Sequence, residues 1–350
     1  MKAAVTVRDR KIEYVDQPAP VPGPSQVLIS VRYAGICGSD IHVYRGEFAP
    51  RVVFPLIQGH EFAGVIEEKG SGVDPGLEVG DRVCVDPIIS CMRCPACLGG
   101  AYNACRSLRL TGIDLNGGFA PYACVDQEQC FKVPESVSDR DAALVEVLSI
   151  GMHATSVSRI EPGDRVVVLG SGRVGLAVLQ NLLLSAAEKV AVVDVCDEKL
   201  EIAHSLGAAE VINSRKEDAL QAVARFTGDH YGADCVIECI GEAELDVVGH
   251  KPPVEQAVEM VRSAGRITLL GQGPEKYGVH WKTLVWKEAT IRTSRTSRGE
   301  FPRVIAMMAA GKFKTGPMVS RVYPLSEASE AFSLVDRELP DVVKVMFKVS

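Results

Sequence analysis

The amino-acid sequence predicts an α/β chain of two domains, a barrel-like β domain followed by a doubly wound parallel sheet. Three observations carry this. At 350 residues the chain is long for one core. Its first part is a series of short runs rich in branched residues, separated by glycine and proline turns. From about residue 150, continuous apolar runs alternate with helix-like segments, as βαβ units do. Apolar residues at 47% and charged residues at 24% are ordinary for a globular protein, so no long stretch is expected to be disordered.

In the β-rich part, a lead containing Pro18, Pro20, Pro22 and Pro24 precedes a strand expected over Val27–Tyr33. Glu61–Glu68 and Asp81–Val85 read as further strands, separated by Gly70-Ser71-Gly72 and Pro75-Gly76. In the second part, Arg165–Leu169 has the unbroken apolar texture of a strand covered on both faces. A helix is expected from there to about Ala187, then strands at Val190–Val193, Asp234–Glu238 and Arg266–Leu270. After about 290 the texture changes: Arg292, Arg295 and Arg298 precede an amphipathic helix from Pro302. The expected division is therefore 1–148, 149–289 and 290–350, the last stretch returning to the first domain. Glu242–Pro253 reads as an insertion or a long loop, with no function assigned to it. No internal repeat is visible.

Several functional classes are disfavoured at once. A net charge of −7 argues against a general binder of phosphate backbones, which is usually basic. The opening residues lack the apolar core of a signal peptide. The most apolar tract, Val174–Ala187, is broken by Gln180 and Asn181 and is too short to span a bilayer. A cytoplasmic protein is the expectation. Without a secretion signal, clustering among the eleven cysteines favours metal binding over a disulfide framework.

Gly170-Ser171-Gly172-Arg173-Val174-Gly175 follows a strand and opens a helix, as a dinucleotide fingerprint must. Its glycines let the backbone approach a pyrophosphate at the helix N-terminus. Nineteen residues beyond Gly175, Asp194 ends the next strand. A carboxylate there accepts from ribose hydroxyls and repels a 2′-phosphate, which favours NAD over NADP. Lys199 can reach the same ribose.

Cys91, Cys94, Cys97 and Cys105 follow the pattern C-x2-C-x2-C-x7-C. Four thiolates this close can surround one tetrahedral zinc with no open position, a structural role. An iron–sulfur run also begins this way, but it continues x3-C-Pro, which is absent here.

A second constellation is more dispersed. Gly35-Ile36-Cys37-Gly38-Ser39-Asp40-Ile41-His42 follows one strand, and Gly59-His60-Glu61 begins another. Each of these residues alone has an ordinary buried or solvated role. Together Cys37, His60 and Glu61 offer three ligands and leave zinc a fourth position for water or substrate, where a bound alcohol would be acidified. Ser39 and His42 could pass the proton outward, and Asp40 could orient His60.

With these motifs in their order and separations, and with Gly59-His60-Glu61-Phe62-Ala63-Gly64 among them, the chain resembles the zinc-containing medium-chain alcohol dehydrogenases over its whole length. Within that family it is most similar to the polyol, sugar-acid and threonine dehydrogenase branch. The resemblance implies a GroES-like β-barrel catalytic domain, split around a Rossmann domain, with NAD and zinc meeting in the cleft. It implies Cys37, His60 and Glu61 as ligands of a catalytic zinc, and Glu146 as an acid beside the metal, bound directly or through water. Many relatives have Glu-Pro where this chain has Glu146-Val147. It also implies Ser39 and His42 as the proton relay, and Cys239 and Gly271 beside the nicotinamide and its ribose.

The expected reaction is oxidation of a secondary alcohol on a small polyhydroxylated substrate, with two zincs per chain in a homodimer or homotetramer. Relatives with the Ser294-Arg295 and Phe301-Pro302 context often act on sugar acids, so Arg295 or Arg298 is expected to meet an anionic group. L-Threonine oxidation is the nearest alternative, disfavoured because Asp86–Ser90 lacks the histidine of threonine-specific relatives. Outside this chemistry stand a zinc-free reductase or sensor that keeps only the structural zinc, and an iron–sulfur redox protein.

Overall fold

The computed structural model describes residues 1–228, 231–241, 251–272 and 278–350. The chain divides into two compact units: Met1–Glu146 with Arg298–Ser350, and Val147–Ser297. The stretch read as an insertion lies mostly outside the described residues, and a helix, Pro253–Met260, begins at its end.

In the first unit the strand Gln26–Gly35 is the hub. Its near-continuous branched run is buried along most of its length, and both of its edges are paired. Glu61–Lys69 runs antiparallel along one edge. The other edge is shared, by Tyr122–Asp126 opposite the start of the strand and by Lys344–Lys348 opposite its end. Arg82–Val85 with Cys130–Lys132 extends the sheet on one side, and Val319–Pro324 extends it on the other. Lys2–Arg8, Lys11–Asp16 and Leu56–Ile57 form a smaller antiparallel sheet.

The core of this unit joins its two stretches of chain. Phe119 meets Phe332 and Phe347 edge-on, at centroid separations of 5.8 and 5.0 Å, and all three rings are fully buried. Burying each phenyl contributes about 1.5–3 kcal/mol, and each edge-to-face pair adds about 0.5–1.5 kcal/mol. The returning segment is therefore held by packing as well as by strand pairing.

The second unit is a six-stranded, wholly parallel sheet. Its strands lie in the order Glu210–Asn213, Lys189–Asp194, Arg165–Leu169, Ala233–Glu238, Val261–Leu269, Thr290–Thr293. In chain order this is 3-2-1-4-5-6, the arrangement that binds dinucleotides at the strand ends. Val166, Val167 and Val168 are completely buried, as a strand covered on both faces requires.

Four expectations need correction. The helix after Arg165–Leu169 is Arg173–Leu183 and does not reach Ala187. Ser185 ends it by donating to the Leu182 carbonyl from its N–H (2.9 Å) and its hydroxyl (2.6 Å). The strand expected at Arg266 starts earlier, at Val261, and carries an irregularity opposite Ala233–Cys235. Residues from 290 do not open the return to the first unit. Thr290–Thr293 is instead the sixth strand, with Ile291 opposite Ile267, so the unit ends at Ser297. At the other junction the division falls after Glu146, inside the helix Val145–Ser158, two residues before the expected 148. Among the described residues no helix is long and apolar enough to cross a membrane.

Candidate active site

Strand register explains how distant residues meet. Gly35 pairs with Glu61 where the two central strands come together. A Cβ on Gly35 would lie 2.5 Å from Glu61 Oε2, so the glycine makes room for that carboxylate. Two residues on, Cys37 caps the short helix Gly38–Tyr44, and its N–H donates to Asp40 Oδ2 at 2.8 Å. This local turn presents the Cys37 thiol toward the start of Glu61–Lys69. A Cys37 sulfur, a His60 ring nitrogen and a Glu61 oxygen thereby lie within 4.8 Å of one another.

His60 is bracketed. Its Nδ1 lies 3.4 Å from Asp40 Oδ1, and its Nε2 lies 3.3 Å from the Ser39 hydroxyl. Burial pulls the pKa of the imidazole down, but Asp40 and Cys37 together outweigh it and hold the pKa well above the ordinary value. Glu61 is completely buried, and its Oε2 accepts from Lys344 Nζ, also completely buried, which donates to the Ile36 carbonyl at 3.2 Å as well. Glu146, in the first turn of Val145–Ser158, stands beside this group without joining the tight set. Burial, then the charge of Glu61, pushes its pKa well up, and its Oε2 is buried without a hydrogen bond.

Cys37, Asp40, Glu61 and Glu146 thus gather around the His60 imidazole, with Lys344 as a counter-charge on Glu61. That donor set, with an unbonded carboxylate oxygen at its edge, fits a divalent cation.

The four-cysteine loop is built differently. Cys94 Sγ lies 3.4 Å from Cys97 Sγ and 4.0 Å from Cys105 Sγ, and Cys91 Sγ lies 3.9 Å from Cys97 Sγ. Thiolates around one zinc at about 2.3 Å sit about 3.8 Å apart, so these spacings fit a tetrahedral ion and exceed a disulfide bond of about 2 Å. All eleven cysteines are free of disulfides. Backbone N–H groups at Arg93 and Cys94 lower the Cys91 thiol, and the N–H of Cys97 lowers that of Cys94, whereas burial raises Cys97. The N–H groups of Cys91 and Ser107 point at Cys105 Sγ, at 3.3 and 3.4 Å.

In the second unit the glycine loop links Arg165–Leu169 to the helix Arg173–Leu183. A Cβ on Gly175 would fall 1.9 Å from the Gly170 carbonyl, so strand and helix approach there as only glycine allows. At Gly172, the helix N-cap, a Cβ would meet nothing within 4 Å, and this open ground suits an incoming phosphate. Asp194 ends the neighbouring strand, and its carboxylate is already engaged. One oxygen accepts from the Ser171 N–H (2.6 Å) and hydroxyl (2.8 Å), the other from the N–H groups of Val195 (2.7 Å) and Cys196 (3.0 Å). Lys199 lies in the following helix, Asp197–Leu206, half-buried. Cys239 and Gly271 follow the ends of the fourth and fifth strands, where Gly241 and Gly271 touch backbone to backbone. Arg295 and Arg298 are both exposed and fall in different units.

Two residues that shape these sites were not singled out in the sequence. Lys344 was legible only as a lysine inside the apolar run Val342–Phe347. Glu238 is a buried acid whose Oε1 accepts from the N–H groups of Ile240 (2.6 Å) and Gly241 (2.8 Å), holding the turn that carries Cys239.

Residues 23–135 match the alcohol dehydrogenase GroES-like domain family, and residues 174–310 match the zinc-binding dehydrogenase family. Sorbitol dehydrogenase of Bacillus subtilis is 33% identical, over 99% of this chain and 96% of its own length. L-Idonate 5-dehydrogenase of Vitis vinifera is 32% identical, over 94% and 90%. An alcohol dehydrogenase of Escherichia coli CFT073, solved with NADH, superposes with a TM-score of 0.90 at 31% identity over 100% and 99% of the two chains. A zinc-binding dehydrogenase of Sinorhizobium meliloti 1021, solved with NADP, gives 0.91 at 32% identity over 99% of each. The two units are a GroES-like domain and a Rossmann domain, and the chain belongs to the zinc-type alcohol dehydrogenases, oxidoreductases acting on CH–OH groups.

Proposed function

We propose that this enzyme oxidises a secondary alcohol of a small polyhydroxylated substrate, a sugar acid or polyol, to the ketone, with NAD as the acceptor. The observation that carries the reading is the group Cys37, His60 and Glu61, with the unbonded oxygen of Glu146 beside it. Three donors leave a cation an open position for substrate. In this reading they hold a catalytic zinc, with Glu146 or a water completing its shell, and Cys91, Cys94, Cys97 and Cys105 hold a second, structural zinc. The catalytic zinc supplies Lewis-acid polarisation of the alcohol oxygen, and NAD supplies the hydride acceptor.

The chain's own residues do the rest. Asp40 orients His60, and Lys344 ties one oxygen of Glu61 so that the carboxylate cannot swing freely. Ser39 takes the proton of the alcohol, the nicotinamide ribose would link it to His42, and His42 passes the proton to water. Gly170, Gly172, Arg173, Val174 and Gly175 receive the pyrophosphate. Asp194 and Lys199 hold the adenosine ribose, Asp194 disfavouring a 2′-phosphate, and Cys239 and Gly271 line the nicotinamide end. Arg295 or Arg298 meets the anionic group of a sugar acid.

Similarity to a sorbitol dehydrogenase and an L-idonate 5-dehydrogenase supports the substrate class. A homodimer or homotetramer is part of the same reading. It is supported by the edge position of Thr290–Thr293 and by Trp281, Val285 and Trp286 standing exposed on the helix before it.

The test offers sorbitol, L-idonate and L-threonine to purified enzyme with NAD or NADP, with and without a zinc chelator. Chelator-sensitive NAD reduction on the polyol or the sugar acid is expected. Protein holding two zincs per chain that reduces NAD with neither of these overturns the substrate class, and a preference for NADP overturns the role of Asp194.

A further inference from the structure

We propose that Glu47 is a positioning residue for the proton relay, its carboxylate holding the His42 imidazole in the tautomer whose Nε2 accepts the proton. This rests on the reading above, in which His42 receives a proton by way of Ser39. His42 lies in the last turn of the helix Gly38–Tyr44, and the chain then folds back so that Glu47 meets it twice. The Glu47 N–H donates to the His42 carbonyl at 2.9 Å, and Glu47 Oε2 lies 2.5 Å from His42 Nδ1. Phe48 lays its ring parallel to the imidazole, 6.0 Å between centroids and 5° between planes. Arg51 sits over the Phe48 ring and is itself gripped by both Asp114 oxygens, at 2.8 and 2.7 Å. The turn carrying Glu47 is anchored at both ends, and the imidazole is held along one edge.

The chemistry follows from what each atom can do. An ionised carboxylate only accepts, so the nitrogen facing it carries hydrogen. Neutral His42 then keeps its lone pair on Nε2. A proton arriving through Ser39 forms an N–H bond at Nε2, with the Glu47 charge beside the imidazolium. Release of that proton from Nε2 to water restores the starting tautomer. Charged groups near the ring include Glu47 and, beyond Phe48, Arg51. As an ion pair the contact adds little stability, since the two side chains are 25% and 42% exposed. A purely structural role therefore predicts almost no effect on removing Glu47, whereas a positioning role predicts a changed tautomer and a slower proton step.

The experiment uses the full chain with zinc and NAD, labelled with [15N]histidine, as wild type, Glu47→Ala and Glu47→Asp. His42→Asn identifies the His42 signals among the seven histidines. Above the titration range of the imidazole, wild-type His42 is expected to be protonated at Nδ1, and the Glu47→Ala protein to lose that preference. With whichever of sorbitol, L-idonate and L-threonine is oxidised fastest, kcat is expected to fall about three- to tenfold in Glu47→Ala, a fraction of a whole acid–base contribution. KM should change less than about twofold, with Glu47→Asp recovering much of the rate. A wild-type imidazole protonated at Nε2, or the same tautomer in Glu47→Ala, overturns the proposal whether or not any alcohol is oxidised. A changed tautomer with an unchanged kcat overturns it too. A changed tautomer in protein that oxidises none of the three supports the positioning by Glu47 and sinks the functional reading instead.

Discussion

The four-cysteine loop and the group around His60 are both candidate metal centres, built in opposite ways. The loop draws all four donors from fifteen consecutive residues and closes the coordination sphere. The other group draws three donors from two strand ends and leaves one place open, with a counter-charge supplied by Lys344 from the far end of the chain. Number and origin of ligands thus separate two tasks. A closed local set staples a loop that lacks a large core of its own, whereas an open set assembled by the sheet register keeps a position for chemistry.

The largest effect should come from the open group. His60→Ala is expected to lower kcat/KM by on the order of 10³-fold or more, the scale of losing a preorganised electrostatic contact at the reacting oxygen. Melting should move far less than in the mirror experiment, Cys94→Ser. That variant should lose one zinc per chain by metal analysis and melt on the order of 5–10 °C lower, with catalysis by the folded fraction within about threefold of wild type. If Cys94→Ser instead abolishes turnover in folded protein, the division of tasks fails.

Lys344→Met sharpens the same contrast. Leaving Glu61 buried without its cation should cost about 3–5 kcal/mol of stability in denaturant melts. The pair Lys344→Met with Glu61→Gln should recover most of that, while zinc at the open group, measured by chelator competition, stays weak. No recovery in the double variant would mean that Lys344 acts by packing alone.

The smallest effect lies at the entry to the cysteine loop. Asp86 is buried between the strands Arg82–Val85 and Ile88–Ile89, and burial, with Glu300 nearby, pushes its carboxyl up to about 7. The folded state thus retains a proton that the unfolded chain gives up near pH 4. The contribution is absent below about pH 4, and stability falls as pH rises from there to about 7. Asp86→Asn keeps an acceptor for the Ile88 N–H, now 3.1 Å from Asp86 Oδ1, and should raise stability by about 1–3 kcal/mol at pH 8 with little change at pH 4.5. Equal shifts at both pH values would place the effect elsewhere.

What could be read from the sequence follows the same local-versus-assembled line. The cysteine loop and the glycine loop lie in short contiguous stretches, so spacing alone exposed them. The buried strands of the Rossmann unit showed as apolar runs because both of their faces are covered. Thr290–Thr293 was missed because, as an edge strand, it is only half covered and carries Arg292. Cys37, His60 and Glu61 were visible as candidate donors, but their meeting depends on Gly35 facing Glu61, a register that spacing does not contain. Lys344 was invisible because the carboxylate it neutralises lies 283 positions away, a distance that no local spacing spans. The engagement of Asp194 by Ser171 is equally a product of two strand ends being neighbours.

That separation of 283 residues is also an interval of time. At a synthesis rate of about 5–20 residues per second, roughly 14–57 s pass between the emergence of Glu61 and that of Lys344. Through that interval the carboxylate lacks its cation, and burying it would strand a charge. The last strand of the sheet therefore brings both the final pairing and the cation that makes a dry site tolerable. The enzyme's centre can be finished only once the segment carrying Lys344 arrives, after the whole nucleotide-binding unit has been made.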